Sequence, residues 1–217
     1  MFVWATLIYD PIACWTWNPS GWSNRMGGID FAGGTPVHIA SGSAALAYSL
    51  MLRKRRGYDT PELSYPPHNA THIVLGTVFL WVGWFGFNGG TALSANLRAV
   101  MACTVTNISA SVGGITWCLL DYRHNRRQPD VGAQPSGGRW STISFCSGVV
   151  AGLVAITPGA GYVPPWAAVV YGVVSGVACN YATYLKLVFG VDDALDIFAV
   201  HGVGGFIGNI LTGFFAA

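Results

Sequence analysis

The first thing this 217-residue sequence lacks is charge. Asp, Glu, Lys and Arg supply 9% of its residues, against 52% hydrophobic and 13% aromatic, whereas a water-soluble domain carries roughly a quarter charged residues. So few charges cannot dress the surface of a soluble domain of this length, which excludes a soluble enzyme. A net charge of +2 is too small to point to nucleic acid. Cysteine pairing is missing as well. Cys14, Cys103, Cys118, Cys146 and Cys179 stand singly, with no CxxC pair. An odd number inside apolar runs reads as small packing residues rather than a disulfide framework or a zinc site. A signal peptide is also absent: Met1 to Tyr9 is apolar but has no basic flank and no small-residue cleavage site. Nine apolar residues are too few to cross a bilayer, which takes about 20 in a helix. The chain is therefore expected to begin partway through a span.

What the sequence has in abundance is long uncharged runs. Six stretches contain no Asp, Glu, Lys or Arg and are long enough to cross: Phe31 to Leu52, Ile73 to Leu97, Ala99 to Leu120, Trp140 to Val163, Pro164 to Leu185, and Ile197 to Ala217. The fourth and fifth are one run, divided at Thr157-Pro-Gly-Ala-Gly-Tyr-Val-Pro-Pro-Trp166, where glycine and proline force a turn. The fold expected is all-α, a polytopic transmembrane helix bundle forming one domain over residues 1–217. If the spans alternate, Arg53, Lys54, Arg55, Arg56, Arg123, Arg126, Arg127, Arg139 and Lys186 fall on one side, and only Arg25 and Arg98 on the other. That side, with the loops 53–72 and 121–139, is expected to be cytoplasmic. Trp15, Trp17, Trp22, Tyr162 and Trp166 on the opposite side suit an interfacial aromatic belt. Gly148-x-x-x-Gly152, Gly172-x-x-x-Gly176 and Gly204-x-x-x-Gly208 have the spacing that lets helices approach closely.

Two segments repeat a pattern. Asp30 precedes His38 by eight residues, and Asp193 precedes His201 by eight, with small residues following each histidine. On a helix this spacing is a little over two turns, about 12 Å, and returns to nearly the same face. The topology makes the two helices antiparallel, as in inverted repeats whose interface forms a substrate path near the midplane. An ionisable residue inside a span is costly and marks a functional site by default; the plain alternative is a pair of structural histidines bonded to neighbouring backbone. Two facing neutral imidazoles can share a hydrogen and line a narrow path. With no third or fourth ligand beside them they offer little to a metal ion.

The motifs around these histidines match a known family. Asp30-Phe-Ala-Gly-Gly-Thr-Pro-Val-His38, running on to Ala-Ser-Gly, resembles a signature of the ammonium transporter family (Amt/Mep/Rh). Asp192-Asp-Ala-Leu-Asp-Ile-Phe-Ala-Val-His201-Gly-Val-Gly-Gly resembles its second histidine segment, and Trp84-Phe-Gly-Phe-Asn-Gly-Gly-Thr91 its pore-gate segment. Gly152-Leu-Val-Ala-Ile-Thr-Pro158 is a further shared block, and Cys14-Trp-Thr-Trp-Asn-Pro19 is similar to fungal Mep-type members.

The resemblance implies selective ammonium uptake across a plasma membrane. The cation would be recruited outside and deprotonated, and ammonia would pass a hydrophobic pore lined by twin histidines. His38 and His201 would be that pair and relay the proton. Asp30 would support the recruitment site, Trp17 would face the outer cation, Phe87 would be the inner phenylalanine of the gate, and Thr91 would hydrogen-bond the ammonium ion. Asp193 and Asp196 match the family's inner acids and read as structural helix-end groups. Members are typically homotrimers with no cofactor. They have about eleven spans, and this chain matches the end of the fourth through the tenth, so a fragment is expected. Two other readings stay open: an ammonium sensor with little flux, and a membrane haem protein with His38 and His201 as axial ligands.

Overall fold

A computed structural model describes residues 1–58, 69–125 and 140–216. Among these residues every regular element is helical. The first helix runs through α1 (Phe2–Trp4), a π-helical turn Ala5–Tyr9 and α2 (Asp10–Trp17), and a short α3 (Trp22–Arg25) follows. The π turn Gly34–Ile39 leads into α4 (Ala40–Leu52). Then come α5 (Ala70–Gly90), α6 (Leu97–Asn125), α7 (Thr142–Ile156), α8 (Pro165–Ala182) and α9 (Leu185–Phe189). The π turn Phe198–Val203 opens α10 (Gly204–Phe215).

Each of the six expected spans corresponds to a helix, with boundaries that local chemistry moves. The second stops at Gly90, not Leu97, because Gly89-Gly90 ends it and Asn96 turns to cap α6, its Oδ1 accepting from the Ala99 N–H at 2.9 Å. The fourth starts after Ser141, whose Oγ accepts from the Ser144 N–H, and ends at Ile156 ahead of Pro158. The third runs past Leu120 to Asn125 and carries Asp121, which is accommodated because Asn180 Nδ2 donates to its carboxylate at 2.8 Å. The leading helix continues past Tyr9 to Trp17, longer than the nine apolar residues expected. Among the described residues, four helical stretches are long and apolar enough to cross a membrane: Ala70–Gly90, Leu97–His124, Pro165–Phe189 and Phe198–Phe215. Arg126, Arg127, Arg139 and most of the expected cytoplasmic loops lie outside the described residues.

The core is where α6, α7 and α8 meet, with Val105, Val149, Leu153, Ile156 and Tyr171 fully buried. Glycine makes this contact possible. A Cβ at Gly113 or at Gly148 would strike the other's carbonyl oxygen, and one at Gly152 would strike Ser109. This is the close approach that small residues permit between membrane helices. Against this core lie α5 on one side and α10 on another.

The two histidine-bearing helices are antiparallel. The π turn Gly34–Ile39 packs beside α10, while α4 packs beside the π turn Phe198–Val203, so the start of each lies against the end of the other. Gly42 and Gly202 form their tightest crossing: a side chain on Gly42 would enter the Gly202 backbone. Asn209 Nδ2 donates to Thr35 Oγ1 at 2.8 Å farther along the same seam.

Candidate functional site

The eight-residue spacing in each repeat is explained by capping. The Asp30 carboxylate accepts from the N–H groups of Gly33, Gly34 and Thr35 at 2.7–2.8 Å, three donors that a helix start would otherwise leave unpaired. Gly33 supplies the left-handed turn there, with φ of 122°. Asp193 Oδ2 accepts from the Phe198 N–H at 2.9 Å and begins the other helix. Each acid thus sets the start of a helix in which the histidine stands about one turn in. The two full helical turns expected between acid and histidine are not formed, because the residues next to each acid lie outside the helix. Both histidines stand in π turns, the wider helical form that concentrates at functional sites.

There the two side chains meet. His38 Nδ1 and His201 Nδ1 lie 3.2 Å apart, with ring centroids 5.3 Å apart. His38 is 3% exposed and His201 half-buried. They line a pocket of about 360 Å³ with Val37, Ser41, Leu80, Trp84 and Phe87. Its wall is apolar apart from the rings and one hydroxyl.

Two residues with no role assigned from sequence hold His38 in place. The Trp84 indole stacks on the imidazole at 5.3 Å and 14°, and its Nε1–H donates to Thr157 Oγ1 at 3.0 Å. His38 Nε2 lies 3.3 Å from the same oxygen. Thr157 donates its own hydroxyl hydrogen to the Leu153 carbonyl at 2.8 Å, so its two lone pairs accept. The network therefore assigns the hydrogen of a neutral His38 to Nε2. His38 Nδ1 is then the acceptor and His201 Nδ1 the donor, which leaves the His201 Nε2 lone pair without a hydrogen-bond partner among the described residues. Both residues lay inside motifs quoted above. Their signal in sequence is a polar side chain embedded in an apolar span.

The remaining expected site residues separate into three groups. Phe87 is brought to the pair, its ring 6.4 Å from His38 and edge-on to Trp84 at 5.8 Å. Thr91 ends α5, one turn on. It donates to the Phe87 carbonyl at 2.8 Å, and its oxygen lone pairs stay available to accept. Trp17 and Asp30 sit together at the start of the first histidine helix, where Trp17 Nε1–H donates to the Asp30 carbonyl at 2.8 Å. Burial pushes the Asp30 carboxyl pKa up, opposed by the three backbone donors. Asp196 is a turn residue with φ of 54°. It is ion-paired to Lys186 at 2.7 Å; burial raises its pKa and Lys186 counters that.

Comparison with known proteins places this geometry in context. The model of the Ammonium Transporter Family matches residues 1–217. Ammonium transporter 1 of Schizosaccharomyces pombe is 60% identical over 217 residues, an overlap that takes in 100% of this chain and 41% of that protein. Ammonium transporter MEP2 of Saccharomyces cerevisiae is 49% identical over 219 residues, covering 100% and 42% of the two chains. A crystal structure of Candida albicans Mep2 superposes with a TM-score of 0.88 at 49% identity, over 100% of this chain and 46% of that one. The chain thus spans less than half the length of these relatives.

Proposed function

The chain belongs to the Ammonium Transporter Family, and we propose that it carries the twin-histidine part of a path for ammonium across a membrane. The observation that carries this reading is the 3.2 Å Nδ1–Nδ1 contact between His38 and His201, made from antiparallel helices inside an apolar pocket. In this reading Trp17 and Asp30 mark the entry side. An ammonium ion over an indole face gains about 0.5–2 kcal/mol, and Thr91 supplies an acceptor in place of lost water. The ion gives up a proton before the constriction at Phe87. Ammonia then moves along the imidazoles as a hydrogen-bond donor to the open ring nitrogen, His201 Nε2. The proton follows the histidine pair. A potassium ion has no proton to leave behind and meets an apolar wall that cannot replace its hydration shell.

The reading extends to features expected from the family resemblance. Residues 1–217 form a single transmembrane domain corresponding to the end of the fourth through the tenth of eleven spans. The complete assembly is a homotrimer in the plasma membrane, with the basic loops 53–72 and 121–139 cytoplasmic. The haem alternative has little room: two rings in direct hydrogen-bond contact leave no space for a macrocycle between them.

The test is a yeast strain without its own ammonium transporters, expressing Ammonium transporter 1 of S. pombe with the matching stretch replaced by this chain. His38→Ala should lower uptake of ammonium or admit potassium. Unchanged uptake with unchanged potassium exclusion removes the pair from conduction. Ammonium binding without any uptake by the unsubstituted chimera would turn the reading toward a sensor.

A further inference from the structure

We infer that Arg55 and Asp192 form a clamp that sets how the two histidine helices meet, making both of them positioning residues for the His38–His201 contact. The role rests on the twin-histidine reading above, although its geometry does not. Arg55 lies just beyond the end of α4, and Asp192 six residues before the π turn Phe198–Val203. Their side chains join as a fork: Arg55 Nε donates to Asp192 Oδ2 at 2.7 Å and Nη2 to Oδ1 at 2.6 Å. The backbone N–H of Arg55 donates to the same Oδ2 at 2.9 Å. Tyr58 O–H adds a bond to the Val191 carbonyl at 3.3 Å. Parallel bonds of this kind fix geometry as well as charge, and a lysine cannot reproduce them.

Two further observations show why the inner end of α4 needs such a tie. First, side-chain packing does not fill the space there. A cavity of about 400 Å³ separates Leu46 and Leu50 of α4 from Leu185, Val191 and Phe198. The substantial helix contacts of α4 are with the two π turns alone among the described residues. The clamp spans from α4 to the far wall of that cavity. Second, the chain leaves α4 through Arg53 at φ of 66°, a conformation rare for a residue with a Cβ. It persists where neighbouring contacts over-determine it. Arg55, two residues on, makes those contacts, and Lys54 lies over the Tyr58 ring at 4.6 Å.

The effect on the histidines follows from leverage. Gly42, jammed against Gly202, is the fulcrum of α4. At 1.5 Å per residue, His38 lies about 6 Å on one side of it and Arg53 about 16 Å on the other. A swing of about 1 Å at the clamped end therefore moves the His38 ring by roughly 0.4 Å. Added to the present 3.2 Å, that displacement leaves the range of a hydrogen bond.

The experiment uses the 217-residue chain, ¹⁵N-labelled at histidine, in phosphatidylcholine vesicles. It reads the nitrogen–nitrogen coupling across the imidazole pair by solid-state NMR, with circular dichroism to check folding. Arg55→Gln and Asp192→Asn should each lower the coupled signal at least twofold. Unchanged coupling in the folded variants overturns the clamp. If either variant fails to fold, Arg55→Lys decides, because it keeps the charge and loses the fork. Reduced coupling in folded Arg55→Lys supports the proposal, and intact coupling overturns it. The readout is the ring contact itself, so it stays informative even if His38→Ala shows the pair to have no part in conduction.

Discussion

Replacing Thr157 by Val deletes the one oxygen that accepts from both His38 and Trp84, while keeping the shape of the side chain. Thr157 stands just past the end of α7, His38 in the π turn before α4, and Trp84 on α5, so both bonds join separate segments. Hydrogen bonds between membrane helices are worth about 0.6 kcal/mol on average and about 1.7 at most. The change should therefore cost roughly 1–3 kcal/mol of stability. Full orphaning of two buried donors, at about 1–3 kcal/mol each, sets the ceiling. Trp84→Phe removes one of the two donors in advance. The two substitutions should then be non-additive by about the value of a single bond, roughly 0.6–1.7 kcal/mol. The assay is reversible denaturant unfolding of the chain in mixed micelles for the four members of the cycle. The ¹⁵N shift of His38 Nε2 is read alongside. Thr157→Ser should behave as the parent. Strict additivity, or a Thr157→Val variant whose Nε2 signal keeps its position, would refute the shared-acceptor network and the tautomer assigned from it.

Two other outcomes follow from the same geometry. Arg55 holds the Asp192 carboxyl below its ordinary pKa of 3.8, with Lys186 adding to the effect. A depressed carboxylate stabilises the fold fully above its unfolded value and loses that contribution as pH falls through the folded value. Clamp stability should therefore be flat from neutral pH down to about 5 and decline below about 4. With the Arg55 side chain 46% exposed, the loss should be about 1 kcal/mol or less. Amide exchange at Arg55 measures it, and Asp192→Asn should make the profile flat over that range. Gly42→Val forces a branched side chain into the Gly202 backbone. It should destabilise by about 1–3 kcal/mol and abolish the coupled histidine signal; a Gly42→Val chain with normal coupling would show that the seam has slack.

The sequence made the histidine pair legible through spacing. Asp30 to His38 and Asp193 to His201 share one interval because each acid caps a helix start, and the histidine follows about one turn into that helix. A helix behind each uncharged run was legible for a similar reason, although among the described residues four helical stretches, not six, are long and apolar enough to cross. Span ends were not. They depend on single contacts such as Ser141 with Ser144 or Asn96 with Ala99, which periodicity does not record. The Arg55–Asp192 pair, 137 residues apart, left no pattern in the sequence. Arg55 there was one of several basic residues fixing a side, and only the fold shows which acid it meets. Thr157 was hidden by its ordinariness: a threonine before Pro-Gly reads as a turn residue until the ring above it is placed.

The two halves of the repeat are related in sequence but unequal in the site. His38 is held from three directions, by the Trp84 face, the Thr157 oxygen and the partner ring. The His201 ring makes one hydrogen bond among the described residues, to His38. A ring whose two nitrogens are both engaged cannot turn or take up a new hydrogen without breaking a bond. The other ring keeps a lone pair at Nε2 and gives up nothing to use it. Hydrogen-bond direction runs from His201 through His38 to Thr157 and ends at the Leu153 carbonyl, a group with no hydrogen to pass on. In the proposed relay, a proton reaching the pair would find its first open acceptor on His201. The inequality comes from α5 and the turn after α7, which pack on His38 and leave His201 alone. Motifs far from either histidine in sequence thus decide which of two similar rings keeps an open lone pair.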